Sequence, residues 1–215
     1  MAIADIRDYE DDRGNRIIGK PVQLGASSIR FYSENCVIEF ERNVSWLGGV
    51  QFLQAGSYVK VGSNSNVRGG LQLGTKARIV IGEYLDVTGG LEVFVDDGAT
   101  VDIGKNCLFA TRVALRSYDS HPIFDLSTKS RINYSRNIVI GDHVWLGAGV
   151  TVLGGSTVGN GAIVGTASVI TKSTPVPPDS IVAGVPAKIV RSGIAWVKPG
   201  NPPVDSLPDD YMTLR

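Results

Sequence analysis

His121 and His143 are the only two imidazoles in this 215-residue chain. An imidazole titrates close to neutral pH, so it is the side chain best suited to take a proton and return it. His121 precedes Pro122, with Tyr118, Asp119, Phe124 and Asp125 close by in sequence. A histidine base needs a partner that sets its tautomer. Asp119 can meet His121 across a tight loop, and Asp125 can reach it from the far side of the proline. Each carboxylate also reads as an ordinary loop residue, and His121 as a histidine capping a turn. Tyr118 and Phe124 flank the imidazole and suit either stacking on a ligand face or packing in a core. Cys36 and Cys107 are the only cysteines and have no neighbour that would activate a thiolate. Two imidazoles fall short of the three wanted by a zinc hydrolyase built on histidines.

The element that must position these groups is a ladder. Ile140, Leu146, Val152, Val158, Val164 and Ile170 recur every six residues without a slip. Gly141, Gly147, Gly159 and Gly165 each follow one of them, and Val144, Val150, Ser156, Ala162 and Ser168 stand four residues after the first five. A fixed period of this kind marks a repeat architecture. Each unit is expected to be a short strand and a corner, with its aliphatic pointing inward onto the next coil about 4.8 Å away. Side chains alternate along a strand. With Val144 and Leu146 facing in, Trp145 faces out, and His143 reads as a solvated corner side chain.

A looser repeat precedes the ladder. Gly48-Gly49-Val50-Gln51-Phe52 recurs as Gly69-Gly70-Leu71-Gln72-Leu73, as Gly89-Gly90-Leu91-Glu92-Val93, and in diverged form as Thr111-Arg112-Val113-Ala114-Leu115. The glycine pairs read as corners, since glycine and asparagine tolerate positive φ. The period breaks once, over residues 116–137, a polar loop that must leave the prism wall and carries His121. Loops of this length are commonly functional. Residues 1–30 are expected to cap the solenoid's open end, residues 31–191 to form the coil, and residues 192–215 to pack as an extended arm anchored by Trp196. The fold class expected is all-β: a parallel β-helix with one excursion loop and a C-terminal extension.

Composition narrows the partners. Lys plus Arg and Asp plus Glu both number 21, giving zero formal charge and a pI near 6.7. A dedicated nucleic-acid or membrane-surface binder needs a basic excess. Nothing reads as an apolar leader or a bilayer span, so a soluble cytoplasmic protein is expected.

The segments IGDHVWLGAGVTVLGGSTVG (140–159), GTASVITKS (165–173), AGVPAKIVR (183–191) and SHPIFD (120–125) resemble the left-handed β-helix, hexapeptide-repeat acyltransferases. The capsular-polysaccharide and sugar O-acetyltransferases are the nearest in appearance. The resemblance implies a left-handed coil, acetyl-CoA as donor, no metal, and a homotrimer with active sites between subunits. It implies His121 as general base in a direct, ternary-complex transfer to a hydroxyl of a bacterial polysaccharide or its sugar precursor. Asp119 then orients the base, or Asp125 does, and Tyr118 and Phe124 are candidates to stack on the sugar. Trp145 is implied at the thioester end of the donor, or in a trimer interface. Ala148, Thr166, Thr171 and Lys172 are implied along the pantetheine arm, and Lys188 and Arg191 at the phosphates. A backbone N–H near Gly147 is the expected oxyanion donor. Arg131 and Asn133 match a similar run in the capsule enzymes and are given no role beyond holding the loop. N-acetylation of an amino sugar nucleotide or of a small acceptor is the alternative activity; a purely structural solenoid would not carry the loop.

Overall fold

The computed structural model describes residues 2–3, 6–24, 27–198, 206–207 and 211. Its strands stack as parallel neighbours along three faces. The first face carries Arg16–Ile18, Val37–Phe40, Tyr58–Val61, Arg78–Ile81, Thr100–Ile103, Ile138–Ile140 and Thr157–Val158. The second carries Asp86–Val87, Leu108–Phe109, Trp145–Leu146, Ile163–Val164 and Ser180–Gly184. The third carries Leu91–Val95, Val113–Arg116, Thr151–Leu153 and Val169–Ile170.

The six-residue ladder is the core of the last coils. Ile140 pairs with Val158, Leu146 with Val164 and Val152 with Ile170, three hexads apart in each case. All six of these aliphatics are buried, and so are Val144, Val150, Ser156, Ala162 and Ser168. A fully buried aliphatic stabilises by about 1.5–3 kcal/mol, so inward stacking outweighs the weak β-propensity of glycine-rich strands. Asn35, Asn43, Asn64 and Asn106 hold the positive φ expected of corners. Across the interruption the pairing spacing lengthens: Ile103 lies against Ile140, and Leu115 against Val152. The chain leaves the wall within that one coil, but only after Arg116, which is still paired with Phe94 and Leu153 and so lies one residue inside the expected excursion of 116–137.

The glycine repeat differs from the expectation. Gly48 lies against Gly69 and Gly49 against Gly70, but Gly69 lies against Leu91 and Gly70 against Glu92. Gly89-Gly90 is therefore two residues out of step with Gly69-Gly70. The first two pairs are not corners, because they sit inside the unbroken strands Ser45–Phe52 and Asn66–Leu73. Those long strands span the second and third faces together. The next turn breaks between Val87 and Leu91, and there the third corner opens. Gly69 is needed for close approach: at φ 130°, a Cβ on it would lie 1.9 Å from the Leu91 carbonyl oxygen.

Antiparallel strands close both ends. Tyr9–Glu10 pairs with Arg16–Ile18, and Ala187–Ser192 returns along Ser180–Gly184. Among the described residues no helix is long and apolar enough to cross a membrane.

Candidate active site

The excursion loop is held by its own polar side chains. Asn133 is the central one. Its Nδ2 donates to Asp119 Oδ2 (3.0 Å) and to the His121 carbonyl (2.8 Å), and its Oδ1 accepts from the Ile123 N–H (2.7 Å). Arg131 anchors this group to the coil by donating to the Asn133 carbonyl (3.2 Å) and to Asp97 (3.4 Å). The expectation that Arg131 and Asn133 hold the loop matches these contacts. Which atoms Asn133 would tie together was not legible, because the partners lie 10–14 residues away on the opposite limb of the loop.

His121 is exposed at the loop's tip, and its ring has no hydrogen-bond partner among the described residues. Its N–H donates to the Asp119 carbonyl at 2.7 Å, a tight turn that keeps the two residues together. The two candidate carboxylates separate clearly. Asp125 accepts from the N–H and hydroxyl of both Ser127 and Thr128. Those bonds, led by the Ser127 hydroxyl, hold its pKa at about 2. Asp125 is committed to its own turn and is not free to orient His121. Asp119 is exposed, two residues before His121, and keeps one oxygen on Asn133.

A cleft of about 260 Å³ lies where the loop folds back on the coil. It joins Tyr118, Asp119 and Asn133 of the loop to Leu153, Gly154, Thr171 and Lys172 of the last coils. Burial and then the nearby Asp96 raise the pKa of Tyr118, which keeps its hydroxyl protonated as a donor. Phe124 is outside this cleft; it is exposed and bridges to Arg131 across the loop.

The other expected donor contacts fall elsewhere on the coil. Ala148 and Thr166 occupy the corner between the second and third faces on successive coils, linked by the Ala167 N–H to the Ala148 carbonyl (2.8 Å). The N–H groups of Ala148 and Thr166 have no intramolecular partner among the described residues. The N–H of Gly147 does: it donates to the Val164 carbonyl at 2.8 Å. Gly147 itself is therefore not the free donor; its bond belongs to the coil ladder. A Cβ there would meet the Thr166 nitrogen at 2.8 Å. Thr171 and Lys172 follow the strand Val169–Ile170, at the opposite end of the third face. Lys188 and Arg191 project from the terminal strand, paired opposite Ala183 and Ile181. Lys172, Lys188 and Arg191 are exposed and enter no ion pair among the described residues.

Trp145 faces outward, 38% exposed, between buried Val144 and Leu146, as alternation requires. It does not stand on an open wall. Trp196 of the C-terminal segment packs against it, with ring centroids 5.8 Å apart. The same tryptophan overturns the solvated reading of His143. His143 is a corner residue at φ 54°, yet only 2% exposed, because Trp196 stacks on its ring at 4.1 Å and 12°. The expected anchoring by Trp196 is observed; its effect on His143 depends on a contact 53 residues away.

A three-faced parallel coil of about eight turns, interrupted by one polar loop, is the architecture of hexapeptide-repeat left-handed β-helix proteins. The family model described as bacterial transferase hexapeptide (six repeats) matches residues 137–172. A polysialic acid O-acetyltransferase of Escherichia coli O1:K1 / APEC is 43% identical over 141 residues, covering 66% of this chain and 45% of that protein. A putative lipopolysaccharide biosynthesis O-acetyl transferase, WbbJ, of Escherichia coli strain K12 is 32% identical over 171 residues, covering 75% of this chain and 82% of that protein. The crystal structure of the polySia-specific acetyltransferase NeuO superposes with a TM-score of 0.84 at 32% identity, covering 93% of this chain and 92% of that one. The chain belongs to the hexapeptide-repeat transferase family, with the left-handed β-helix as its fold. It spans about half the length of the polysialic acid O-acetyltransferases it matches, 45% of the Escherichia coli protein and 54% of the one from Neisseria meningitidis.

Proposed function

We propose that the chain is an acetyl-CoA-dependent O-acetyltransferase acting on a hydroxyl of a bacterial polysaccharide or its sugar precursor. The observation that carries this reading is the cleft in which the His121 loop, through Tyr118 and Asp119, meets Thr171 and Lys172 of the coil. Loop residues beside His121 in sequence there meet two coil residues expected along the donor's pantetheine arm. The relatives named for O-acetylation of polysialic acid and lipopolysaccharide support the same substrate class.

In this mechanism His121 takes the proton of the acceptor hydroxyl as its oxygen attacks the thioester carbonyl carbon. The C–S bond breaks, and His121 returns the proton to the leaving thiolate. Asp119, held by Asn133, favours the imidazolium that forms between these two transfers. The protein's own groups suit the donor. The unpartnered N–H groups of Ala148 and Thr166 match the carbonyls of a pantetheine arm or an oxyanion. The exposed cations Lys188 and Arg191, which enter no ion pair among the described residues, match its phosphates. Trp145 lines the thioester end. The His121 loop follows the third-face strand Val113–Arg116, whereas Trp145 lies on the second face. A site using both is thus completed between neighbouring copies, in a homotrimer. The exposed apolar side chains of the loop, Ile123, Leu126, Ile132 and Tyr134 among them, suit burial against such a neighbour. A cytoplasmic location fits a donor made in the cytoplasm.

The test is His121→Ala, assayed by thiol release from acetyl-CoA with oligosaccharide, amino-sugar-nucleotide and small-alcohol acceptors. Turnover is expected to fall by about 10²–10⁴-fold, with oligomeric state and CoA affinity unchanged. Near-normal turnover in this variant would remove His121 as the base.

A further inference from the structure

The C-terminal segment bears directly on Trp145. Trp196 lies flat on His143, and the two residues are joined twice. The Trp196 indole N–H donates to the His143 carbonyl at 3.0 Å, and His143 Nε2 lies 2.8 Å from the Trp196 carbonyl oxygen. The remaining ring nitrogen, Nδ1, lies 3.2 Å from the Asn106 amide on the coil below. Since the carbonyl can only accept, Nε2 carries a proton and donates to it. Tyr211 packs edge-on to His143, with centroids 5.9 Å apart. Two residues beyond Trp196, Lys198 donates to the Tyr84 carbonyl at 3.1 Å, which fixes the direction in which the segment runs. The segment is thus bonded directly to two coils, through Tyr84 and His143, and His143 is in turn bonded to Asn106 on the coil between them.

Among the described residues Trp145 meets this assembly through the tilted contact with Trp196. Its strand neighbours in the coils on either side are Leu108 and Ile163. An outward side chain on a strand has two common χ1 wells, and aliphatic neighbours discriminate weakly between them. A large ring stacked on His143 and fixed by its own N–H, with its backbone carbonyl bonded as well, discriminates strongly. We propose that Trp196 is a positioning residue for acetyl-donor use. It holds the Trp145 indole in the orientation that receives the thioester end of the donor, with His143 as the mount that holds Trp196. This rests on the proposed place of Trp145 at the thioester end. The C-terminal segment then belongs to the donor site, although Trp196 itself stays 7% exposed and need not touch the donor.

The test is a double-mutant cycle on binding, so that it does not depend on knowing the acceptor. Acetyl-CoA and CoA affinities are measured by titration calorimetry for the full chain and for Trp145→Ala, Trp196→Ala and the double variant. Misplacement of a positioned group costs on the order of ten- to a hundredfold. Acetyl-CoA affinity is expected to fall at least tenfold in each single variant and no further in the double variant, because both changes remove the same oriented ring. Trp196→Phe, which keeps the stack and loses only the indole N–H, is expected to recover most of the affinity. A purely structural tail would instead give additive losses that follow the folded fraction, and that outcome overturns the proposal. So does unchanged acetyl-CoA affinity in Trp196→Ala. Unchanged affinity in Trp145→Ala overturns both this inference and the role assigned to Trp145. Failure of the His121→Ala test alone leaves the cycle readable, since binding does not require the base.

Discussion

Replacing Asn133 by alanine isolates the positioning of His121 from the folding of the coil. The substitution removes three hydrogen bonds of 3.0 Å or less, to Asp119, to the His121 carbonyl and from the Ile123 N–H, besides a long one of 3.5 Å from Arg131 Nε. All three lie in the excursion loop, outside the ladder of buried aliphatics. A net hydrogen bond at an accessible site contributes about 0.5–1 kcal/mol, so together they favour the closed loop by roughly 1.5–3 kcal/mol. At about 1.4 kcal/mol per factor of ten, the ratio of held to released loop falls by roughly ten- to a hundredfold. Steady-state thiol release should show that loss mainly in kcat, while calorimetry shows a melting temperature within a few degrees of the parent. Asn133→Asp is a sharper variant. It keeps an acceptor for the Ile123 N–H but loses both donations and sets a second carboxylate against Asp119. Its activity should be no better than that of Asn133→Ala. If Asn133→Ala retains activity within about twofold of the parent, the loop does not depend on this clamp. If instead melting drops steeply and activity follows the folded fraction, the clamp belongs to folding and not to the site.

Three further outcomes can be measured. Gly69→Ala should destabilise by more than about 3 kcal/mol in urea unfolding, since φ is 130° and the new Cβ meets the Leu91 carbonyl at 1.9 Å. Gly70→Ala and Gly90→Ala, where a Cβ meets nothing within 4 Å, should stay within about 0.5 kcal/mol; equal losses at all three would refute the pairing of Gly69 with Leu91. Glu41 is held at about 2 by the Lys60 ammonium, then by Ser63, against an ordinary value of 4.5. A lowered carboxylate pKa contributes stability that is complete above about 4.5 and lost as pH falls towards 2. The melting curves of the parent and Glu41→Gln should therefore differ at neutral pH and converge near pH 2, and a constant gap would count against the ion pair. Burial pushes the Cys107 thiol up to about 12 and raises Cys36 as well. Neither should react with a thiol reagent until the chain is unfolded, and rapid native modification would reopen a covalent route.

Much of the fold could be read from residue order alone. The six aliphatics from Ile140 to Ile170 stack as their spacing required, because a hexad carries one strand and one corner and leaves little freedom in between. The outward side of Trp145 and the excursion at residues 116–137 followed from the same period. The register of the earlier coils was less legible. The repeated glycine pairs looked equivalent, but whether a pair bends or runs straight depends on the strand below it. Only the stacking shows that Gly48-Gly49 and Gly69-Gly70 lie within continuous strands while the chain breaks beside Gly89-Gly90.

At the site, sequence determined which side chains have the chemistry: one imidazole in a polar loop, with carboxylates beside it. It could not choose between Asp119 and Asp125, since both lie within reach along the chain. Tertiary structure shows what each is bonded to: Asp125 is satisfied within its own turn, and Asp119 is bonded to Asn133. It also decided that the N–H of Gly147 is consumed by the coil while that of Ala148 is not. Most of all, it decided the fate of His143. No sequence neighbour of that histidine predicts its burial, because the indole that covers it arrives from Trp196, 53 residues later. Local periodicity determines which way a side chain points; what covers it is set by whichever distant segment fits the space.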